Sequence, residues 1–188
     1  MSDPVDTDAV DGDAPDRTGT VVGDRTRTVS LTLDGAPRTV TAEVRTLLSD
    51  LLRHQLGATG THVACEHGSC GACTVLVDDL TVRSCLVLAP QVDGCRVDTV
   101  ESLALDDGGA LGRVAAALHD EHGLQCGFCT PGIVVSMTAA LRDGLGVDEA
   151  LDQVLGGHLC RCTGYVNIRA AVRSAFGDHN GSGDGGDR

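Results

Sequence analysis

The chain has 188 residues, which is enough for one ordinary domain or two small ones. Apolar residues make up 41% of it, but aromatic residues only 2% and tryptophan is absent, so metal or cluster binding by its nine cysteines is a plausible further source of cohesion. The formal net charge of −13 and the absence of lysine argue against nucleic acid or an anionic membrane surface as a partner.

No apolar run approaches the length of a membrane span, and the N-terminus has neither a basic region nor an apolar signal core. We therefore expect a cytoplasmic protein. Because cytosolic thiols are kept reduced, clustered cysteines there indicate metal or cluster ligands before structural disulfides.

The first predicted elements are a β-hairpin and a helix. Residues 1–25, rich in Asp, Gly, Thr and Pro, are expected to form a disordered acidic arm. Apolar and polar residues alternate over 29–33 and again over 39–44, and Asp34-Gly35 between them favours a tight turn. Apolar residues then recur at helical spacing over 46–56, which predicts an amphipathic helix packed on the hairpin.

A loop with three cysteines follows at 65–73. Short strands are predicted at 74–77 and 80–83, with a return strand near 95–97. Strands, one helix and a cysteine loop together predict a compact α+β domain over 26–100.

The rest of the chain is predicted to be helical. Four stretches with helical apolar spacing predict a small four-helix bundle over 101–176. Thr130 is the predicted N-cap of the second of these helices, with Pro131 at its first position. Residues 177–188, dominated by Gly, Asp, Ser and Asn, are expected to be a disordered tail.

The cysteines of the first domain have the plant-type spacing of a [2Fe–2S] cluster. Small residues separate them, and only such residues let a short loop turn its backbone N–H groups toward cluster sulfurs. Zinc also takes four thiolates, but zinc sites usually pair two Cys-x-x-Cys segments. The predicted ligands are Cys65, Cys70, Cys73 and Cys85.

A Rieske centre does not fit this segment. Cys65-Glu66-His67 has its Cys-x-His half, but no Cys-x-x-His follows, so His67 and His62 are interpreted as surface or loop residues. Cys95 is predicted to be a small buried apolar residue in a strand, without a role.

The helical domain carries a second quartet. A Cys-x-x-Cys pair precedes one predicted helix and a Cys-x-Cys pair precedes another, and antiparallel helix pairs would bring both to one end of the bundle. Helix N-termini stabilise an anionic cluster. A redox-active dithiol at the first pair remains an alternative, as does a zinc-stabilised interaction module, but a dithiol leaves the second pair unexplained. The predicted ligands are Cys126, Cys129, Cys160 and Cys162.

Four segments, in this order, resemble the small iron–sulfur subunit of the molybdenum hydroxylases, which include xanthine dehydrogenases, aldehyde oxidoreductases and aerobic carbon monoxide dehydrogenases. The segments are CEHGSCGACTVLV at 65–77, SC at 84–85, QCGFCTPG at 125–132 and LCRCTGY at 159–165. Two departures lie outside the ligands: a turn often written Asp-Gly is Asp78-Asp79, and a Gly-Asn before the last motif is Gly157-His158.

The resemblance implies a ferredoxin-like β-grasp domain followed by a four-helix domain, each with one [2Fe–2S] cluster. It implies a large partner with a molybdopterin cofactor and a medium partner with FAD, between which this chain relays electrons. The helical-domain cluster would face the molybdenum, with Gln125 and Cys162 near the pterin, and the other cluster would face the flavin.

Overall fold

The computed structural model describes residues 25–105 and 109–177. The predicted acidic arm and tail therefore lie outside the described residues, apart from Arg25 and Gly177.

A five-stranded mixed sheet forms the first half of the molecule, in the order β2-β1-β5-β3-β4. Strand β1 pairs antiparallel with β2 and parallel with β5, while β3 pairs antiparallel with both β5 and β4. The strands are β1 (Thr26–Leu33), β2 (Ala36–Glu43), β3 (Thr74–Val77), β4 (Leu80–Arg83) and β5 (Arg96–Asp98).

The alternation in the sequence explains which side of β1 is buried. Val29, Leu31 and Leu33 are at most 5% exposed, because successive side chains of a strand point to opposite faces. The predicted hairpin is confirmed, and β3 and β4 have the predicted bounds.

The predicted helix on the hairpin is short and irregular. Helix α1 (Leu48–Asp50) continues directly as a π-helical turn, Leu51–Gln55. Its buried residues Leu48, Leu51 and Leu52 pack with the buried face of β1 in one apolar cluster. The helical spacing was therefore a correct guide to the buried face, although part of the segment has π-helical hydrogen bonding.

The second half is helical. Its α-helices are α2 (Ala110–Asp120), α3 (Thr130–Arg142), α4 (Val147–Glu149) and α5 (Val166–Phe176). Helix α4 is only three residues long and continues as a π turn, Ala150–Val154, and a 3-10 turn, Leu155–Gly157. The described residues thus contain five α-helical segments in all, and the prediction of a four-helix bundle is not confirmed.

Two details of this half correct the sequence analysis. Helix α3 begins at Thr130, so its N-cap position is taken by Cys129 and not by Thr130. The cap makes no side-chain hydrogen bond. A buried thiol therefore sits at the point where the free backbone N–H groups of α3 begin.

Each half has its own apolar cluster, and α3 joins them. One cluster contains residues of β1, β3, β5 and α1, and the other contains residues of α2, α3 and α5. A small third cluster places Leu76 of β3 against Val135 and Ala139 of α3. Nearly all of α3 is buried, because it packs on the sheet with one face and on the helices with the other. No described helix is long and apolar enough to cross a bilayer.

Candidate metal centres

The loop before β3 turns backbone amides toward the first cysteine. The amide of Cys70 lies 3.4 Å from Cys65 Sγ. Hydrogen bonds from the backbone of His67, Cys70 and Ser69 lower the pKa of Cys65 to about 6. Such amides stabilise a thiolate, which is the form that binds metal.

Cys73 and Cys85 form the inner side of the same site, and both are buried. Burial, and then the adjacent Cys73 thiol, raise the pKa of Cys85 to about 11. Ser84 holds the two segments in place, because its amide and its hydroxyl both donate to the Cys73 carbonyl, at 3.2 and 2.8 Å. Without a cation the Cys85 thiol remains protonated, and a bound metal would supply the charge that ionises it.

The second quartet is also assembled from distant parts of the chain. Cys126 and Cys162 are exposed, and their Sγ atoms are 3.4 Å apart. A hydrogen bond from the backbone of Phe128, followed by one from Cys162, lowers the pKa of Cys126. The predicted meeting of the two cysteine pairs is thus present in the structure.

Cys129 and Cys160 form the buried side of this second site. Burial, and then the Cys160 thiol, raise the pKa of Cys129 to about 12. Burial opposes ionisation of Cys160 as well, but hydrogen bonds from the side chain and backbone of Thr163 outweigh it, so the pKa of Cys160 is lowered. The Cys160 and Thr163 side chains are 3.1 Å apart.

The donor chemistry fits a [2Fe–2S] cluster at each site. The cysteine side chains interact in pairs, Cys65 with Cys70 and Cys73 with Cys85 in one quartet, Cys126 with Cys162 and Cys129 with Cys160 in the other. Two thiolates on each of two irons is the ligation of such a cluster. Zinc instead requires four donors around one ion. Among the described residues, no group of three or more His, Cys, Asp or Glu is arranged to hold a single metal ion.

Tyr165 supports the second site, although no sequence pattern assigned it a role. It adopts a left-handed conformation, with φ of 67°, just before α5. Its Oη accepts a hydrogen bond from the Cys160 amide at 2.8 Å and donates to the His158 carbonyl at 3.1 Å. The tyrosine in the motif LCRCTGY was visible in the sequence, but its return to the cysteine loop was not.

A buried histidine at the contact between the two sites was also missed. His158 is 2% exposed, and its Nε2 lies 2.8 Å from Ser136 Oγ of α3. Burial, and then the charge of Arg83, lower the pKa of His158 to about 3, so the ring is neutral. The sequence showed this residue only as a departure from Gly-Asn.

Four further residues were considered in the sequence: two histidines, the ninth cysteine and a glutamine. His67 is exposed and lies in the first cysteine loop, as expected. His62 stacks on Phe128 with a ring-centroid distance of 4.8 Å, and its Nδ1 is 2.9 Å from the Phe128 carbonyl, so it connects the two halves. Cys95 precedes β5 and is half-buried, so the expectation of a buried strand residue was wrong. Gln125 is exposed beside Cys126.

Family models match both halves of the chain. Residues 31–104 match the model of a 2Fe-2S iron-sulfur cluster binding domain, and residues 99–173 match that of a [2Fe-2S] binding domain.

Individual proteins match about four fifths of the chain. Caffeine dehydrogenase subunit gamma of Pseudomonas sp. (strain CBB1) is 49% identical over 150 residues, which are 78% of this chain and 89% of the relative. The nicotine 6-hydroxylase small subunit of Paenarthrobacter nicotinovorans is 44% identical over 157 residues, 81% of this chain and 93% of the relative. The crystal structure of quinoline 2-oxidoreductase from Pseudomonas putida 86 matches with a TM-score of 0.72 and 41% identity, over 79% of this chain and 91% of that chain. The chain therefore belongs to the family of [2Fe–2S] iron–sulfur small subunits of the molybdenum hydroxylases, and its role in such a complex is electron transfer.

Proposed function

We propose that this chain holds two [2Fe–2S] clusters and passes electrons between them, one at a time. Cys65, Cys70, Cys73 and Cys85 would hold one cluster, and Cys126, Cys129, Cys160 and Cys162 the other. The observation that supports this assignment is the pairwise interaction of the cysteine side chains in both quartets. A [2Fe–2S] cluster supplies a one-electron carrier when it is bound.

Backbone amides and a helix N-terminus of this chain would raise the reduction potentials of the clusters. Backbone amides point at Cys65 and Cys126, and hydrogen bonds to cluster sulfurs make reduction easier. The second site also lies at the start of α3, whose N-terminus carries partial positive charge. Both features favour the additional negative charge of a reduced cluster.

The second site is proposed to face the large, molybdopterin-containing partner, with Gln125 and Cys162 nearest the pterin. Cys126, Cys162 and Gln125 are all exposed, so a partner has access to them. Large apolar side chains near them are exposed too, as expected of a surface that a subunit covers: Leu124, Phe128, Leu159 and Val166. The first site is proposed to face a medium partner that carries FAD.

The division of the chain into two domains is also proposed. We assign residues 26–100 to a ferredoxin-like β-grasp domain and residues 101–176 to a helical domain of the four-helix type. The separate apolar clusters of the two halves support this division. All nine cysteines are free, which suits a reducing compartment such as the cytoplasm.

The names of three similar proteins support a nitrogen heterocycle as the substrate of the complex: caffeine, nicotine and quinoline occur in them. The substrate would bind to the large partner, not to this chain. Dye-linked oxidation of quinoline by the purified complex would support this substrate class, and oxidation of aldehydes alone would contradict it.

Cysteine replacement tests the cluster assignment. The purified chain should be red-brown and, after reduction, should give two distinguishable electron paramagnetic resonance signals. Cys65→Ser should remove one signal and Cys126→Ser the other, because each loses a thiolate from a different quartet. Iron and labile sulfide should fall by about half in each variant, since half the clusters are lost.

Cys95→Ser is the matched control, since this cysteine belongs to neither quartet and should leave both signals intact. A colourless protein that contains zinc and no labile sulfide would instead establish the zinc module. Disulfide reductase activity that survives replacement of Cys160 and Cys162 would establish the thiol oxidoreductase.

A further inference from the structure

A histidine of the first half contacts the second cysteine site. His62 lies shortly before Cys65, yet its ring stacks on Phe128, with 4.8 Å between the ring centroids and 26° between the planes. The Nδ1 atom of the same ring lies 2.9 Å from the Phe128 carbonyl oxygen. A carbonyl oxygen only accepts hydrogen bonds, so Nδ1 carries the proton and donates. His62 therefore holds both the side chain and the backbone of one residue in the other half.

The segment that carries His62 is fixed within the first half. Arg53, in the π turn after α1, donates to the Thr61 carbonyl at 2.7 Å, and Thr61 itself is buried. The Gly60 amide donates to Glu101 Oε1 at 2.7 Å. The imidazole is thus held by a backbone that two hydrogen bonds fix just before it.

Phe128 lies between two of the proposed ligands, Cys126 and Cys129. Its amide points at Cys126 Sγ, and this hydrogen bond, more than any other cause, lowers the pKa of Cys126. The residue before it, Gly127, has φ of +77°, and a Cβ atom there would meet nothing within 4 Å. Glycine permits a wide range of backbone conformations, so the direction of the Phe128 amide depends on what holds Phe128 in place.

We propose that His62 is a positioning residue of the second cysteine site: it keeps the Phe128 amide on Cys126 Sγ and thereby raises the reduction potential of a cluster bound there. The inference rests on the proposed function, since it requires a cluster on the quartet that contains Cys126. Hydrogen bonds to cluster sulfurs make reduction easier because they offset the added negative charge. The first half would thus adjust the potential of the centre in the second.

Other contacts also join the two halves. Arg83 forms a clamp, since its Nη2 donates to the Gly157 carbonyl at 2.7 Å, and Gly132 of α3 packs on the Gly71 carbonyl. Loss of the His62 contact should therefore leave the halves docked. Its effect should be confined to the second cysteine site.

Redox titration followed by paramagnetic resonance tests this assignment. The native chain with both clusters gives the midpoint potential of each centre, and the signal that Cys126→Ser removes identifies the second centre. His62→Ala should lower the potential of the second centre and leave that of the first unchanged. The expected shift is about tenfold in the equilibrium constant of electron exchange between the centres, which is about 59 mV for a one-electron couple.

Two further substitutions separate the donor from the ring. His62→Asn retains an N–H donor near the position of Nδ1 and should recover most of the shift. His62→Phe retains an aromatic ring and removes only the donor, so the potential of the second centre should still fall. If His62→Ala loses iron from the second site, the potential of His62→Phe decides. His54→Ala is the matched control, because His54 is an exposed histidine of the same half, and it should move neither potential.

A double-mutant cycle tests whether His62 acts through Phe128. Phe128→Ala removes the stacked ring and should also lower the potential of the second centre. Because both changes release the same residue, their effects should be less than additive in the double variant. Additive effects would show that His62 acts by another route and would overturn the inference.

Hydrogen exchange reports the positioning directly. The Phe128 amide should exchange slowly in the native chain and about tenfold faster in His62→Ala. The inference is overturned by unchanged exchange, by an unchanged potential of the second centre in His62→Ala and His62→Phe, or by equal shifts of both potentials. Absence of two paramagnetic centres from the native chain would instead overturn the proposed function, and the inference with it.

Discussion

The cysteines of each site differ in environment although their proposed ligand roles are equivalent. Cys65 is half-buried and Cys126 is exposed, and backbone amides point at both, whereas Cys85 and Cys129 are buried and stay protonated until a cation binds. Cys160 lies between these extremes, because Thr163 and Tyr165 hold its thiol and its amide. Loop residues that are not ligands therefore decide the protonation and the position of those that are.

Tyr165→Phe tests this support. Removal of the hydroxyl leaves the Cys160 amide and the His158 carbonyl without their partner, so the free energy of unfolding should fall by about 1–3 kcal/mol. Urea denaturation followed by circular dichroism measures it. Ser30→Ala removes an exposed hydroxyl, 3.2 Å from that of Thr39, and should cost less than about 0.5 kcal/mol. Equal effects of the two changes would show that Tyr165 gives no special support.

At the scale of elements, aspartates occupy the turns of both β-hairpins. Asp34-Gly35 joins β1 to β2 and Asp78-Asp79 joins β3 to β4, and all four residues have positive φ, as the turn that matches strand twist requires. The carboxylates nevertheless have opposite environments. Asp34 is half-buried and accepts from the Thr99 amide and hydroxyl at 2.7 and 2.9 Å, whereas Asp78 is exposed and accepts from the Arg96 amide at 2.8 Å.

The two turns should respond differently to pH. Burial, more than any other cause, raises the pKa of Asp34 above 3.8, so its contribution to stability is greatest below that pH and is lost as pH rises through its folded pKa. Asp34→Asn should therefore gain stability relative to the native chain between about pH 4 and pH 7. Urea midpoints across that range measure this difference.

Asp78→Asn is the matched control for this titration. A hydrogen bond from the Arg96 backbone lowers the pKa of Asp78 below 3.8, so its stabilising effect is lost only at still lower pH. The difference between Asp78→Asn and the native chain should stay constant from about pH 5 to pH 7, with the native chain more stable. Parallel pH profiles for the two variants would contradict the assignment of opposite environments.

At the scale of the whole molecule, close backbone packing determines how the two halves meet. Helix α3 lies on β3, and Gly132 near its start packs directly on the Gly71 carbonyl. Any side chain at position 132 would enter the van der Waals radius of that oxygen. Because Gly71 lies between Cys70 and Cys73, this contact joins the first cysteine loop to the first turn of α3, whose N-cap is Cys129. The approach of the two sites is thus a consequence of glycine packing.

Gly132→Ala should therefore destabilise the chain, although alanine is normally the better helix former. We expect a loss of about 1–3 kcal/mol in the free energy of unfolding, because a Cβ atom forces the halves apart. Thermal or urea denaturation measures it. Gly156→Ala is the control, since a Cβ atom there meets nothing within 4 Å. Similar stability of both variants would show that the contact at Gly132 can relax.

The sequence by itself determined the strands, the helical positions and the eight clustered cysteines. Alternation marked β1 because one face of that strand is buried, and helical spacing marked α2, α3 and α5 because each has an apolar face. Spacing also separated the quartets from Cys95. Apolar periodicity and cysteine spacing are local properties of the sequence, so they can be recognised without knowledge of the tertiary structure.

Only the tertiary structure decided what lies between the quartets. The π turns after α1 and α4, the contact of His158 with Ser136 and the clamp from Arg83 to Gly157 depend on residues far apart in the chain, or on packing that no local period records. The contact of Cys126 with Cys162 and the hydrogen bond from Leu159 to Cys70 likewise join residues far apart in the chain. The candidate ligands were therefore visible in the sequence, whereas the contacts between the two sites follow only from the tertiary structure.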